Sequence, residues 1–471
     1  MRDGMTDQRQ HAVRLPLPNK LLFASDHIGL QAISYFRQSW ILFFLAPPPI
    51  EGTAMVPDPG ITLLFFDLDA RVFAGFLLFS GRFIDAFTDP LIGWWSDRTR
   101  SPWGRRIPFI LFSTPFYGLF AALIWFLPTE YASFWNALYF VIMLELFFTA
   151  ATMSSGALEA LIPEVTNTPR DRMNLVGLIF VFAYFGAALG LVAIAPLVDT
   201  FGFHYVAVIL AVVGVFFRYL SLSGVWRHAP RHTPPARVAF WTGLRDTLRN
   251  SQFVYFLPTY VMFTTGVGIM QAWIPFFASV ILGAENEGSM TARLFIAVFI
   301  GVAVAGAGIW LMFDYLPVSK RRIYGMCLLG SGAAFPLVAV VGQIWNEGLM
   351  VQSLALFFVA GLPMAAIFLL PKAITADIAD YDGLLTGERR EAMFYSTQNF
   401  FEKITFALPP LFLSLILLMG DSPENPLGIR LAPVLAGALV LLGFTLWPRY
   451  KLPDTVNRET VTSAGLLRQA V

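Results

Sequence analysis

The sequence predicts an all-α membrane protein of twelve transmembrane helices, in two six-helix halves related by pseudo-twofold symmetry. Three observations carry that prediction. The chain is 56% hydrophobic and only 13% charged over 471 residues, where soluble proteins carry roughly 25% charge; its mean hydropathy is +0.64. Apolar stretches near the ~20 residues that cross a bilayer recur along its length. Basic residues fall almost wholly on alternate loops, as in a polytopic protein.

The predicted spans are residues 21–46, 70–96, 107–128, 134–160, 174–197, 203–226, 253–282, 292–315, 322–342, 350–374, 393–420 and 430–448. Breakers such as "APPPIEG", "LPTEY" and "GDSPENP" separate them. One set of loops carries basic groups such as Arg105–Arg106, Lys320–Arg322 and Arg389–Arg390, whereas the opposite set carries only Arg71, Arg293 and Arg430. The positive-inside rule places the first set, and both termini, in the cytoplasm. Residues 1–20 are polar and lack the apolar core of a cleavable signal, so the first span is expected to act as the anchor.

The longest polar break, 227–251, divides the chain nearly in half. It is read as a cytoplasmic linker between bundles at 21–226 and 252–450, with tails at 1–20 and 451–471. Within it, "VAFWTGLRDTLRN" has the pattern of a short interfacial helix, with Val238, Phe240, Trp241 and Leu244 on the apolar side. Cys327 is the sole cysteine, so no internal disulfide forms. The net charge of +1 gives no footprint for nucleic acid. The five histidines show no ligand spacing and no nucleophile–base set appears, so neither a metal site nor an enzyme is expected.

The halves echo each other. After the second span, Asp97 precedes Arg105 and Arg106; after the eighth, Asp314 precedes Arg321 and Arg322. An acid followed by a basic pair at equivalent span ends is the mark of parallel repeats in a secondary transporter. Gly93, Asp97, Arg98, Arg105, Arg106, Asp314, Arg321 and Arg322 are therefore candidates for a cytoplasmic gate.

Charges inside spans are the strongest functional signal, because each costs about 2.5–3.5 kcal/mol at the bilayer centre. "RFIDAFTDP" places Arg82, Asp85 and Asp89 on one helical stripe. One arginine cannot neutralise two carboxylates a turn apart, so a cation or a proton is expected there. Thr88 and Thr152 supply further oxygens. In the eleventh span Lys403 lies well inside the membrane and is expected to pair with Asp85 or Asp89. Tyr395, Gln398 and Asn399 share its helix; with Asp26, Gln31, Ser155 and Glu159 they are the candidates for contact with a solute. Arg37, Glu145 and Arg218 read as helix-to-helix salt bridges.

"RFIDAFTDPLIGWWSDRTRSPWGRRIP", "LEALIPEVTNTPRDR" and "ADIADYDGLLTGERREAMFYSTQNFFEK" together resemble the glycoside–pentoside–hexuronide:cation symporters, the melibiose permease-like branch of the major facilitator superfamily. The loop "GWWSDRTRSPWGRR" resembles that superfamily's G-x-x-x-D-R, G-R-R signature, with residues 99–103 inserted. The resemblance implies cation-binding carboxylates at Asp85 and Asp89, an ion-site threonine at Thr152 and a coupling lysine at Lys403. At the sugar site the match fails: Gln31, Ser155, Glu159 and Phe180 stand where the melibiose permease has its galactoside-gripping residues.

The expected function is Na+- or H+-coupled symport of a sugar, glycoside or uronide across a bacterial-type inner membrane, by a monomer needing no cofactor beyond its cation. The alternatives are an amphipathic, lysophospholipid-like solute, a proton-driven exporter, or a sensor on the same fold. A sensor would need an output domain, which the tail after 450 is too short to hold.

Overall fold

The computed structural model describes residues 15–466 apart from 64–65, 100, 167–168, 229–239, 316–318, 345–346 and 388–389. At 61–63, 66–68, 83, 86–90, 93–94, 97–98, 163, 169–170, 240–242, 310, 312–315, 367–369 and 392 it describes the backbone alone.

Fourteen helices of eight residues or more organise the described chain. They are α1 (Leu17–Leu45), α2 (Ala70–Arg98), α3 (Ile107–Leu123), α4 (Phe134–Ala151), α5 (Pro169–Ala188), α6 (Leu197–Val225) and α7 (Phe240–Thr247). There follow α8 (Ser251–Val280), α9 (Glu287–Tyr315), α10 (Lys320–Leu337), α11 (Leu349–Leu369), α12 (Pro371–Thr386), α13 (Glu391–Leu417) and α14 (Leu427–Leu446). Local chemistry sets several starts. Asp69 accepts from the amides of Arg71 and Val72, Asn250 from Gln252 and Phe253, and Ser319 from Arg322, each satisfying orphan donors of a first turn.

Among the described residues nine helices are long and apolar enough to cross a membrane, and α3 is a shorter apolar helix. Helices also cover the first two predicted spans. α1 carries Lys20, Asp26 and Arg37, and α2 carries Arg71, Arg82 and Asp85, which lower their hydropathy.

The pairing of helices repeats. In the first half α6 packs on α1 and α3, and α5 on α1; in the second, α14 packs on α8 and α10, and α13 on α8. Likewise α2 meets α4 as α9 meets α11. The backbone approach of α1 to α6 requires glycine. A Cβ on Gly29 would stand 2.7 Å from Gly214 Cα, the close small-residue contact that membrane helices favour.

Three features depart from the sequence expectation. The tenth span does not run unbroken to 374. It breaks at Leu370, and Pro371, whose missing N–H is harmless in a first turn, opens α12. Hence "ADIADY" lies on a helix that ends where Gly387 turns left-handed (φ 75°). A short antiparallel hairpin, β1 (Ile61–Leu63) with β2 (Phe66–Leu68), precedes α2. Finally, α4 and α5 each end in a five-residue π-helical turn, Thr152–Gly156 and Leu189–Ala193.

The linker helix α7 exposes Arg245 and Arg249, half-buries Leu244 and packs on the start of α13. There Thr247 and Thr397 share a hydroxyl hydrogen bond of 2.9 Å. Val238 lies outside the described residues, as do the side chains of Phe240 and Trp241.

Ties between the halves gather at the arginine-poor face. Arg71 Nη1 lies 2.5 Å from Asp421 Oδ1. Asp199 accepts from the amides of Gly288 and Ser289 at the start of α9, at 2.7 and 2.8 Å. Ser279 Oγ donates to Glu51 Oε1 at 2.6 Å. At the arginine-rich end, by contrast, Lys20–Asp171, Arg105–Glu164, Lys320–Asp377 and Arg390–Asp382 each stay within one half. Among the described residues, these acidic ties across the halves lie on the arginine-poor face.

Candidate functional site: a buried carboxylate where the halves meet

Asp85 is 1% exposed and sits on α2 where α4 and α13 converge. Lys403 Nζ, from α13, lies 3.0 Å from its Oδ2. Arg82 Nη1, one turn earlier on α2, lies 3.5 Å from the same oxygen. Thr152 Oγ1, the first residue of the π-helical turn, donates to Oδ1 at 3.2 Å and receives Lys403 Nζ at 3.5 Å. A carboxylate, a hydroxyl and an ammonium from opposite halves thus share one desolvated point.

Burial makes that arrangement costly to break. A buried ion left without its partner costs several kcal/mol, so the carboxylate holds whichever cation reaches it. The arginines nearby spread their charge over an aromatic ring. Arg82 lies 4.2 Å and Arg37 5.1 Å from the Phe148 centroid. Arg37 therefore lies against Phe147 and Phe148, and among the described residues it shows no salt bridge, where one was expected. Glu145 also shows no ion pair among the described residues; its Oε1 is buried and unpartnered. The side chains of Thr88 and Asp89 lie outside the described set.

A second polar cluster lies beside this point. Lys372 Nζ, on α12, donates to Asn399 Oδ1 at 2.7 Å, lies 3.8 Å from Glu402 Oε2 and 6.0 Å from the Tyr395 ring centroid. Tyr395 Oη donates to the Lys372 carbonyl at 3.2 Å. Glu159, exposed just beyond the π-helical turn, has Lys372, Lys403 and Glu402 as charged neighbours. Lys372 and Glu402 are not among the solute candidates of the sequence, although both fall inside predicted spans, at 350–374 and 393–420.

Of the other solute candidates, Gln31 is half-buried on α1 and Ser155 Oγ is buried with no partner among the described residues. Two are turned elsewhere. Gln398 is fully buried and accepts from Thr375 Oγ1 at 2.8 Å. Asp26 is 1% exposed and pairs with Arg218 of α6, so its carboxylate is spent on a helix contact. A low dielectric favours the nearest countercharge, and α6 supplies it.

At the arginine-rich end, Glu164 Oε1 receives both Arg105 (2.5 Å) and Arg106 (3.1 Å). Arg106 Nη1 also lies 3.5 Å from Ser96 Oγ. Glu164 was missed in the sequence, where it stands in the quoted "LIPEV" without a visible partner. In the second half Arg321 donates to the Pro448 carbonyl at 3.0 Å, Arg322 is exposed, and Lys320 takes the ion pair with Asp377. The side chains of Gly93, Asp97, Arg98 and Asp314 lie outside the described residues.

The family described as MFS/sugar transport protein matches residues 65–453. The chain belongs to that family.

The MFS transporter fold agrees with solved structures. The peptide transporter POT in complex with sulfate superposes with a TM-score of 0.65 at 12% identity, covering 92% of this chain and 95% of that one. Among curated relatives, the sodium-dependent lysophosphatidylcholine symporter 1 of Gallus gallus is 23% identical, over 90% of this chain and 88% of its own. The inner membrane symporter YicJ of Escherichia coli (strain K12) is 26% identical, over 83% and 85%. This MFS protein is thus a multi-pass membrane transporter, not an enzyme, and its resemblance to melibiose permease-like symporters is that of a family member. Among its described residues no three acidic, histidine or cysteine side chains converge as a multivalent ion would require. The donors at Asp85, a carboxylate and a hydroxyl, suit a monovalent cation or a proton.

Proposed function

We propose that this transporter moves a small solute together with Na+ or H+ by alternating access, with the cation seated at Asp85, Thr152, Asp89 and Thr88. The observation that carries the reading is Lys403 Nζ, 3.0 Å from Asp85 Oδ2 across the halves. The lysine occupies the seat in place of the cation. An arriving cation displaces it, and the freed ammonium and the carboxylates of the neighbouring cluster become available to solute. Cation and solute then raise each other's affinity, as linkage requires. With no cation, Lys403 and Arg82 neutralise the carboxylates, so the empty carrier returns.

In this reading residues 21–226 and 252–450 rock against each other around the midplane, the linker at 227–251 joins them, and the tails at 1–20 and 451–471 face the cytoplasm of a bacterial-type inner membrane. The protein works as a monomer. The solute is a sugar, glycoside or uronide that meets Lys372, Asn399, Glu402 and Glu159.

A second solute class, an amphipathic lipid-like molecule, is favoured by one observation. A half-open cleft of about 740 Å³ between α1 and α5 is lined by Leu15, Leu17, Met173, Asn174, Leu178 and Val181, together with Lys20, which is ion-paired with Asp171. Such a lining suits an acyl tail beside a charged head. Several relatives are sodium-dependent lysophosphatidylcholine symporters by name.

Proteoliposome uptake of a glucuronide and of a lysophospholipid, each under an imposed Na+ or H+ gradient, tests the reading. Uptake driven by one gradient and abolished in Asp85→Asn supports it. Export against an inward proton gradient would make the protein an exporter. Gradient-driven uptake unchanged in Asp85→Asn would overturn the cation seat.

A further inference from the structure

Arg218 is fully buried on α6, 0% exposed, and its charge is matched by Asp26 of α1. Its Nη1 reaches further, to Ser154 Oγ at 2.6 Å, and its guanidinium lies 5.0 Å from the Tyr117 ring centroid of α3. Ser154 is also 0% exposed and lies inside the π-helical turn Thr152–Gly156. Its hydroxyl donates in turn to the carbonyls of Ala150 at 2.9 Å and Ala151 at 3.2 Å.

A π-helical turn widens the helix and disturbs the regular backbone ladder, and such turns persist where neighbouring groups hold them. Here a serine hydroxyl bonds carbonyls at the start of the turn, and an arginine anchored on another helix bonds the serine. Two residues before Ser154, Thr152 is aimed at Asp85 Oδ1. Two residues apart on one helix, the hydroxyls of Thr152 and Ser154 face different neighbours, one the cation seat and one Arg218, and the turn that carries both is the widened one.

We infer that Arg218, anchored by Asp26, is a positioning residue for the cation seat: through Ser154 it fixes the π-helical turn that presents Thr152 to Asp85. The inference rests on the proposed role of Asp85 and Thr152 in holding the cation. Arg218 acts at a distance, touching neither cation nor solute, and it links α1, α3, α4 and α6 to the coupling ion.

The test is a titration of Na+, Li+ and pH against the thermal midpoint of the purified full chain. Ser154→Ala is the first variant, because it leaves the Asp26–Arg218 pair in place; Arg218→Gln would strand a buried carboxylate and risks misfolding. Ser154→Ala should shift the half-point of whichever titration the unmodified protein answers by about tenfold, or one pH unit, equal to ~1.4 kcal/mol. Ser154→Thr, which keeps the hydroxyl, should restore it. In a Thr152→Ala background, Ser154→Ala should add little further shift, since both act through one oxygen. A lower thermal midpoint in Ser154→Ala with an unmoved half-point would make the network structural and overturn the inference alone. If the unmodified protein answered no cation and no pH, the cation seat itself would fall and this inference with it.

Discussion

Lys403 and Asp85 lie 318 positions apart in the chain and 3.0 Å apart in space, the lysine from α13 and the carboxylate from α2. The pair spans the two halves along the contact between α2 and α13. A lysine in the cation's place makes a specific demand on transport kinetics. Lys403→Gln should lower the Na+ or H+ concentration for half-stabilisation, by about tenfold, because the competitor is gone. The same variant should lose net uptake, since Arg82 alone does not neutralise the empty carboxylates on the return step, yet keep solute exchange when cation is present on both sides. Net flux and counterflow in proteoliposomes separate these outcomes. Equal loss of both would make Lys403 a packing residue.

The α2–α13 contact depends on one glycine. A Cβ on Gly75 would stand 2.1 Å from Ser414 Oγ and 2.8 Å from the Pro410 carbonyl. Backbone cannot yield as a side chain can, so Gly75→Ala should destabilise this closed arrangement by about 1–3 kcal/mol. Thermal unfolding in detergent measures it. The same variant should raise the accessibility of a cysteine introduced near Ser414 from the arginine-poor side.

Glu164 holds both Arg105 and Arg106, so Glu164→Gln removes one charge shared by two cations. Uptake should slow several-fold while the cation half-point for stabilisation stays within about twofold, because this cluster lies at the arginine-rich end and does not touch Asp85. A shifted half-point would place Glu164 in the ion pathway.

Asp421 lies in the loop before α14 and holds Arg71 across the arginine-poor face. Burial pushes its carboxyl above the usual 3.8, opposed by the Arg71 guanidinium. Its folded form therefore binds the proton more tightly than its unfolded form. Linkage then makes this group's contribution fall as pH rises from about 3.8 through the raised value, and stay level above it. Thermal midpoints from pH 3.5 to 6 should show the decline in the unmodified protein and a smaller one in Asp421→Asn. Parallel profiles would contradict this.

Much of this was legible from residue types alone. Arg82, Asp85 and Lys403 are dear enough inside apolar spans that their meeting is the cheapest arrangement, and their positions in the sequence already say so. The repeat was legible too, in the acid-then-basic-pair order, and the helix pairings repeat with it. Partner choice was not. Asp26 and Arg218 stand 192 residues apart, and only the close approach of α1 and α6 at Gly29 and Gly214 brings them together. The π-helical turn was equally hidden. "TMSSG" reads as ordinary helix until a buried arginine from another helix claims Ser154. Pro371 carried a readable break signal, yet the apolar run across it suggested one continuous span.

The most direct test of the account needs no solute. Na+, Li+ and pH are titrated against the thermal midpoint of the purified protein beside Asp85→Asn. The account predicts a saturable rise with Na+ or Li+, or a single-proton pH response, present in the unmodified protein and absent in the variant. A cation or proton response that survives in Asp85→Asn would contradict it, leaving the pairing with Lys403 as a strut between the halves.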